Sequence, residues 1–171
     1  LSLFVSLIPR AVIAPIFIFI GFEIMRQAYK DSPSAHSPAV SFSMLPAVAS
    51  LVLIILGQFT GALSVTPERL PARLQVMTQT LTMLSNGFII TGLLWGSMLA
   101  FLIDHRAKRA ALCAAACAVL TLFGFIHSVL PTGELYLPWQ LPGTTHYMLA
   151  AAYLALAGVF LSATGGADVQ S

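Results

Sequence analysis

The stretch FIITGLLWGSMLAFLI, residues 88–103, ends a run of thirty residues, 74–103, that contains no charged side chain. A helix that crosses the hydrocarbon core of a membrane needs about 20 consecutive apolar residues. The run is therefore longer than one perpendicular crossing requires. We expect either a tilted helix or a helix whose first turns lie at the membrane interface, and the polar residues between Gln75 and Thr80 favour the second arrangement.

The composition of the whole chain indicates an integral membrane protein. Hydrophobic residues make up 58% of the 171 residues, charged residues make up 8%, and the mean hydropathy is +0.90. Soluble domains carry about 25% charged residues, so the few charges here cannot cover the surface of a soluble globule. The net charge of +2 and the absence of a long basic run also exclude a nucleic-acid-binding protein.

Charged and proline-rich segments divide the chain into apolar spans. We predict an all-α fold, a polytopic bundle of about five membrane-spanning helices at residues 9–29, 39–59, 74–103, 110–130 and 146–163. Residues 1–8 are predicted to be the tail of a preceding transmembrane helix, and residues 164–171 a short polar tail. Because the chain begins without Met and without a basic leader, we expect a C-terminal fragment of a longer protein.

The distribution of Lys and Arg predicts the orientation. The compact cluster of Arg106, Lys108 and Arg109 is the strongest basic feature. Cytoplasmic loops are enriched in Lys and Arg, so we place this cluster and the C-terminus in the cytoplasm. The predicted location is a bacterial inner (plasma) membrane, with the lipid bilayer as the first partner.

Prolines and small residues indicate where helices bend and pack. Pro15 and Pro46 each remove a backbone hydrogen bond inside an apolar span and are predicted to kink it. Gly92, Gly96 and Ala100 recur every four residues and form a stripe that lets another backbone approach closely. The stripe indicates tight helix packing and does not by itself indicate dimerisation. Assembly as a homodimer is left open.

Three intramembrane polar residues are candidates for function. An ionisable group at membrane depth is costly and is by default a functional candidate. Glu23 could pair with Arg26 three residues later or could be a proton- or cation-linked carboxylate that lines a cavity. His127 could be a neutral, hydrogen-bonded residue or a proton relay. Asn86 could bond across helices or contact a substrate.

The chain lacks the sequence motifs of enzymes and cofactor sites. It contains no Gly-x-Ser-x-Gly, no His-Glu-x-x-His and no phosphate-binding glycine loop. Cys113 and Cys117 lie in an alanine-rich run without an acidic residue or histidine at metal-ligand spacing, which favours a packing role. We therefore expect no catalytic residue, no metal ligand and no cofactor.

The first two spans resemble a known family of carriers. Residues 8–25 read IPRAVIAPIFIFIGFEIM, and residues 37–46 read SPAVSFSMLP. These stretches resemble late helices of the nucleobase–cation symporters of the xanthine/uracil permease type, closest to the adenine/guanine/hypoxanthine branch. In that branch an Ile-Pro turn leads into a helix with an internal Ala-Pro, and the next helix opens with Pro-Ala. Arg10 and Glu23 depart from the pattern, and so do the extra spans that follow.

The resemblance implies a function and an architecture. Such carriers have fourteen helices in two inverted repeats, divided into a core domain and a gate domain. Their acidic substrate-binding residues lie upstream of the Ile-Pro turn, so none is carried onto a position of this chain. The implied partners are the missing N-terminal core domain of the same protein and a small polar solute with H⁺ or Na⁺.

Three functions stay open at this stage. The first is the C-terminal part of a secondary-active transporter for nucleobases such as xanthine, uracil or purines. The alternative is a non-transporting helical membrane subunit, or an assembly or scaffold protein, whose helices bind partner helices. An intramembrane enzyme ranks last.

Overall fold

The computed structural model describes residues 10–66 and 69–165, and this part of the chain is helical with no β-strand. The all-helical class is therefore confirmed. The tail predicted at residues 1–8 and all but the start of the predicted polar tail lie outside the described residues. The helices are α1 (Arg10–Asp31), α2 (Ser37–Ser43), α3 (Leu45–Ala62), α4 (Ala72–Ser85), α5 (Phe88–Ile103), α6 (Ala107–Leu122) and α7 (Thr145–Gly165), with short 3₁₀ turns at Ser34–His36 and Pro138–Gln140.

Two helical stretches among the described residues are long and apolar enough to cross a membrane. They are Ser34–Ala62, which includes α2 and α3, and Thr145–Ala163 in α7. The pair α4 and α5 qualifies as a third if the two helices form one bent span. The described structure thus contains two or three membrane-spanning candidates, and the count of five crossings stays a prediction.

The long uncharged run at residues 74–103 is two helices and not one. α4 ends at Ser85, α5 begins at Phe88, and their axes differ by 76°. Asn86 is extended, and Gly87 has a φ of +73°, in the left-handed region that glycine enters without steric cost. The excess length is therefore absorbed by a sharp break and not by a straight tilted helix.

A second interruption separates α2 from α3. Met44 lies between the two helices, and Pro46 occupies the first turn of α3, where a missing N–H costs no helical hydrogen bond. This interruption falls in the segment where Pro46 predicts a break. Pro15 lies inside α1, which is assigned as one helix from Arg10 to Asp31, and the kink predicted there stays a prediction.

α6 is shorter than the predicted span at residues 110–130. It ends at Leu122 in a Schellman motif, in which the N–H of Phe125 donates to the Leu120 carbonyl and the N–H of Gly124 donates to Thr121. Gly124 supplies the left-handed residue with a φ of +74°. Residues 123–130 therefore leave the helix and fold back against the rest of the chain.

Small side chains bring α5, α6 and α7 together. Ala110, Ala111 and Ala114 of α6 are buried and pack with Met98 of α5 and Ala157 of α7. Small residues allow close approach of helices in a membrane, where dispersion contacts drive association. α5 also packs against α2, while α4 packs against α3, so each half of the broken pair has its own partner helix.

The connection between α6 and α7 is anchored by two buried aromatic rings. Tyr136 packs edge-on against His146, and its hydroxyl donates to the Thr121 carbonyl at 3.3 Å. His146 Nε2 lies 3.1 Å from the Pro138 carbonyl oxygen. Burial raises the pKa of the Tyr136 hydroxyl, because the phenolate would lose its hydration. The connection therefore covers the end of α6 as an ordered cap.

Candidate functional site

A cavity of about 420 Å³ lies beside the break between α4 and α5. α4 contributes Thr80 and Met83 to its lining, and α7 contributes several apolar residues. The rings of Trp95, His127 and Tyr153 also face this cavity. Its lining contains no Asp, Glu, Lys or Arg.

A chain of hydrogen bonds connects the three rings. The indole N–H of Trp95 donates to the Tyr153 hydroxyl oxygen at 2.8 Å. The same hydroxyl lies 2.7 Å from His127 Nε2, and His127 Nδ1 lies 3.3 Å from the Met83 carbonyl oxygen. A carbonyl can only accept a hydrogen bond, so Nδ1 carries the proton of the neutral ring and Nε2 accepts the hydrogen of Tyr153. With His127 neutral, this assignment sets the direction of every hydrogen bond among the three rings.

Ring stacking extends the cluster to α2. Phe42 stacks on Trp95 with 5.1 Å between ring centroids and an interplanar angle of 22°. His127 stacks on Tyr153 with a centroid distance of 5.8 Å and an angle of 13°. The cluster therefore connects α2, α5 and α7 with the segment at residues 123–130.

Asn86 holds that segment on the break. Its carboxamide nitrogen donates to the carbonyl oxygens of Ser128 at 2.9 Å and Leu130 at 3.0 Å. The backbone carbonyl oxygen of Asn86 accepts the backbone N–H of His127 at 3.0 Å. Both carboxamide hydrogens are therefore used inside the protein, and this candidate residue positions His127 through the backbone.

Gly87 makes the close approach of the two segments sterically feasible. A Cβ atom at this position would lie 2.2 Å from the carbonyl oxygen of Phe125 and 2.9 Å from the Cα atom of Ile126. Both atoms belong to the backbone and cannot rotate away. The break thus depends on a glycine for its backbone conformation and for its contact surface.

Glu23 does not belong to this cluster. It forms an ion pair with Arg26, in which Arg26 Nε donates to Glu23 Oε2 at 2.9 Å and Arg26 Nη2 donates to Oε1. The carboxylate is about half exposed, and α1 has its main contacts with α2. The structure brings Asn86 and His127 together and places Glu23 elsewhere.

The predicted glycine stripe packs inside the chain. A Cβ atom on Gly92 would lie 2.4 Å from the Ser43 carbonyl oxygen, and one on Gly96 would lie 2.9 Å from the Ser43 Cβ atom. Ala100 lines the same groove between α5 and α2. The stripe thus accommodates α2, and assembly as a homodimer stays a prediction.

Trp95 and Tyr153 were not among the candidate residues predicted from the sequence. A usable signal was present, since both residues lie in the interior of apolar helices and not in the aromatic belt at a helix end. An indole N–H or phenol hydroxyl buried in an apolar span requires a hydrogen-bond partner. A histidine, a tryptophan and a tyrosine in three separate spans were therefore candidates for one network.

The cluster combines aromatic ring faces with a few hydrogen-bonded polar atoms. Over residues 10–66 and 69–165, no group of three or more His, Cys, Asp or Glu side chains could hold a metal ion. The rings offer flat faces, and their polar atoms bond to one another and to the Met83 carbonyl. No protein-family model matches the chain, and no curated protein or solved structure gives a significant match.

Proposed function

We propose that this chain is the C-terminal part of a secondary-active membrane transporter for nucleobases such as xanthine, uracil or purines, coupled to H⁺ or Na⁺. The observation that carries the proposal is the 76° break between two apolar helices beside a cavity lined by aromatic rings. Broken helices are typical of transporter binding sites, because non-helical backbone is tolerated at membrane depth where it is packed by protein or lines a cavity.

The cavity suits a small planar solute. Its volume of about 420 Å³ lies within the roughly 300–1,000 Å³ that is usual for small-molecule sites. Trp95, His127 and Tyr153 supply aromatic ring faces, which suit the faces of a nucleobase. The likeness of residues 8–25 and 37–46 to nucleobase–cation symporters supports the same class of solute.

In this proposal the described helices belong to a larger inverted-repeat transporter. Five crossings would place the C-terminus and the cluster of Arg106, Lys108 and Arg109 in the cytoplasm of a bacterial cell. The acidic residues of the principal binding site would come from the missing N-terminal core domain. The cavity beside Asn86 would then be a contact surface for the solute during its passage.

A non-transporting membrane subunit is the second candidate. α1 favours it, since Phe19 is 70% exposed and Ile24 is 65% exposed, and the helix has few partners within the described residues. The transporter proposal requires lipid and the missing helices to cover this face. The subunit proposal requires helices of a different protein.

Uptake by the full-length protein in proteoliposomes tests the proposal. Radiolabelled xanthine, uracil, adenine and hypoxanthine would each be offered under an imposed H⁺ or Na⁺ gradient. We expect accumulation of at least one nucleobase under one gradient and none of a labelled sugar. A folded, correctly inserted protein that accumulates no nucleobase under either gradient would contradict the proposal and favour the subunit.

A further inference from the structure

The neutral hydrogen-bond chain leaves the Tyr153 hydroxyl no hydrogen to offer to a solute. Its single hydrogen is donated to His127 Nε2, and its oxygen accepts the Trp95 indole N–H. His127 Nδ1 faces the Met83 carbonyl oxygen. If the proton moved from Nδ1 to Nε2, the Nδ1 lone pair would face that oxygen, so the other neutral tautomer is disfavoured. Only a change in the charge of the ring can release the hydroxyl hydrogen.

We propose that His127 binds the coupling proton and that its protonation turns the hydroxyl hydrogen of Tyr153 toward the solute in the cavity. The imidazolium carries hydrogens on both nitrogens, so Nε2 donates to the tyrosine oxygen and Nδ1 keeps its bond to Met83. The hydroxyl oxygen then receives two N–H donors, and its own hydrogen points away from both. Tyr153 stays neutral, and the added proton comes from water and remains on His127.

This arrangement couples proton binding to solute binding. A solute with a carbonyl oxygen or a ring nitrogen at its edge gains a hydrogen bond only when His127 is protonated. By thermodynamic linkage, that solute must raise the affinity of His127 for the proton by the same factor. This inference rests on the proposed function, and it assigns the effect of the coupling proton to His127 and Tyr153.

Few other titratable groups face His127. Tyr153 on α7 contacts it directly, and Cys117 on α6 interacts electrostatically with Tyr153. α4 presents Thr80 and Met83, which do not titrate, and α5 presents Trp95. Glu134 reaches this region through its backbone carbonyl, which accepts the Ser128 hydroxyl at 3.1 Å. A pH effect on this cavity is therefore assigned to His127.

Equilibrium binding of the nucleobase panel to the purified full-length protein tests the inference. It would be measured from about pH 4.5 to about pH 8, which covers the range in which an ordinary histidine changes its charge and extends below it. We expect the wild-type affinity to rise toward acid pH by about 5- to 150-fold, the usual range of coupling between sites. His127→Gln should abolish this pH dependence, because its amide can accept from Tyr153 and donate to Met83 at every pH.

Further variants separate the coupling from a structural role. Tyr153→Phe should keep the affinity found at high pH and lose the gain at low pH. His36→Gln and His105→Gln are the controls, because they remove other histidines of the chain that do not line this cavity, and each should keep the wild-type profile. A wild-type pH profile in His127→Gln, or an altered profile in either control alone, would overturn the inference.

A measurement without solute distinguishes failure of this inference from failure of the proposed function. Histidine-selective nitrogen NMR, assigned by difference with His127→Gln, reports the charge of His127 directly. We expect a neutral ring protonated at Nδ1 at high pH and a doubly protonated ring at low pH. An imidazole that stays neutral throughout this range excludes the inference even if nucleobases are transported. Titration without nucleobase binding would contradict the proposed function instead.

Discussion

The indole N–H of Trp95 donates a hydrogen bond to the hydroxyl oxygen of Tyr153, with 2.8 Å between the two atoms. The residues lie in α5 and α7, so this bond joins two helices, and the same hydroxyl also bonds to His127. In lipid, no water replaces a lost partner. The bond therefore has consequences for stability as well as for the cavity.

Trp95→Phe should destabilise the protein by about 0.6 kcal/mol and by no more than about 1.7 kcal/mol, the average and the maximum found for hydrogen bonds between membrane helices. The substitution keeps an aromatic ring beside Phe42 and removes the N–H. Trp139→Phe is the control, because Trp139 is 73% exposed and should leave stability unchanged. The free energy of unfolding of both variants is measured in mixed micelles. Equal losses in the two variants would show that the bond does not contribute to stability.

Gly92→Ala should weaken the packing of α5 on α2. The new Cβ atom would meet the Ser43 carbonyl oxygen at 2.4 Å, and such overpacking costs about 1–3 kcal/mol. Gly57→Ala on α3 is the matched control, since a Cβ atom there has no atom within 4 Å among its described surroundings. It should be neutral or stabilising, because alanine favours a helix more than glycine does. Thermal melting in detergent compares the two, and a Gly92→Ala melting temperature at or above the control's would contradict the close contact.

Asn86→Ala should release residues 123–130 from the break. The carbonyl oxygens of Ser128 and Leu130 would lose their shared donor, at a cost of about 1–3 kcal/mol for a buried unsatisfied group. Gln79→Ala is the control, because the exposed Gln79 side chain has no hydrogen-bond partner among residues 10–66 and 69–165. Limited proteolysis should cut the first variant faster within residues 123–130. Identical digestion of both variants would rule out the positioning role.

His36 and Asp104 connect two turns at one end of the helices, and this contact constrains the topology. His36 Nε2 lies 2.7 Å from Asp104 Oδ1, so the α1–α2 and α5–α6 connections lie on the same side. With Cys113 and Cys117 replaced by alanine, Lys108→Cys should react with an impermeant maleimide only after cells are permeabilised.

Leu135→Cys in the same background should react in intact cells. Leu135 is exposed in the connection between α6 and α7, at the end of the helices opposite Asp104. The reverse pattern of labelling would invert the predicted orientation. Equal labelling of both positions in intact cells would contradict a membrane crossing by α6.

The sequence by itself determined the all-helical class and the approximate positions of the apolar helices. Long uncharged runs cannot be hydrated, and the backbone of such runs satisfies its polar groups within a helix. The start of α7 and the interruption near Pro46 also followed from local chemistry, because proline and polar residues act within a few positions. His127 and Asn86 were recognisable as polar residues in apolar surroundings.

The tertiary structure alone decided how these residues meet. The 76° break packs Gly87 against the backbone of Phe125, and this contact forms because α6 ends at Leu122 and the chain turns at Gly124. The network of Trp95, His127 and Tyr153 joins residues that are far apart in the chain. Each is recognisable as a polar group in an apolar span, but the sequence does not show which of them pair. Periodicity and composition report on local structure, whereas the position of a hydrogen-bond partner depends on how the helices pack.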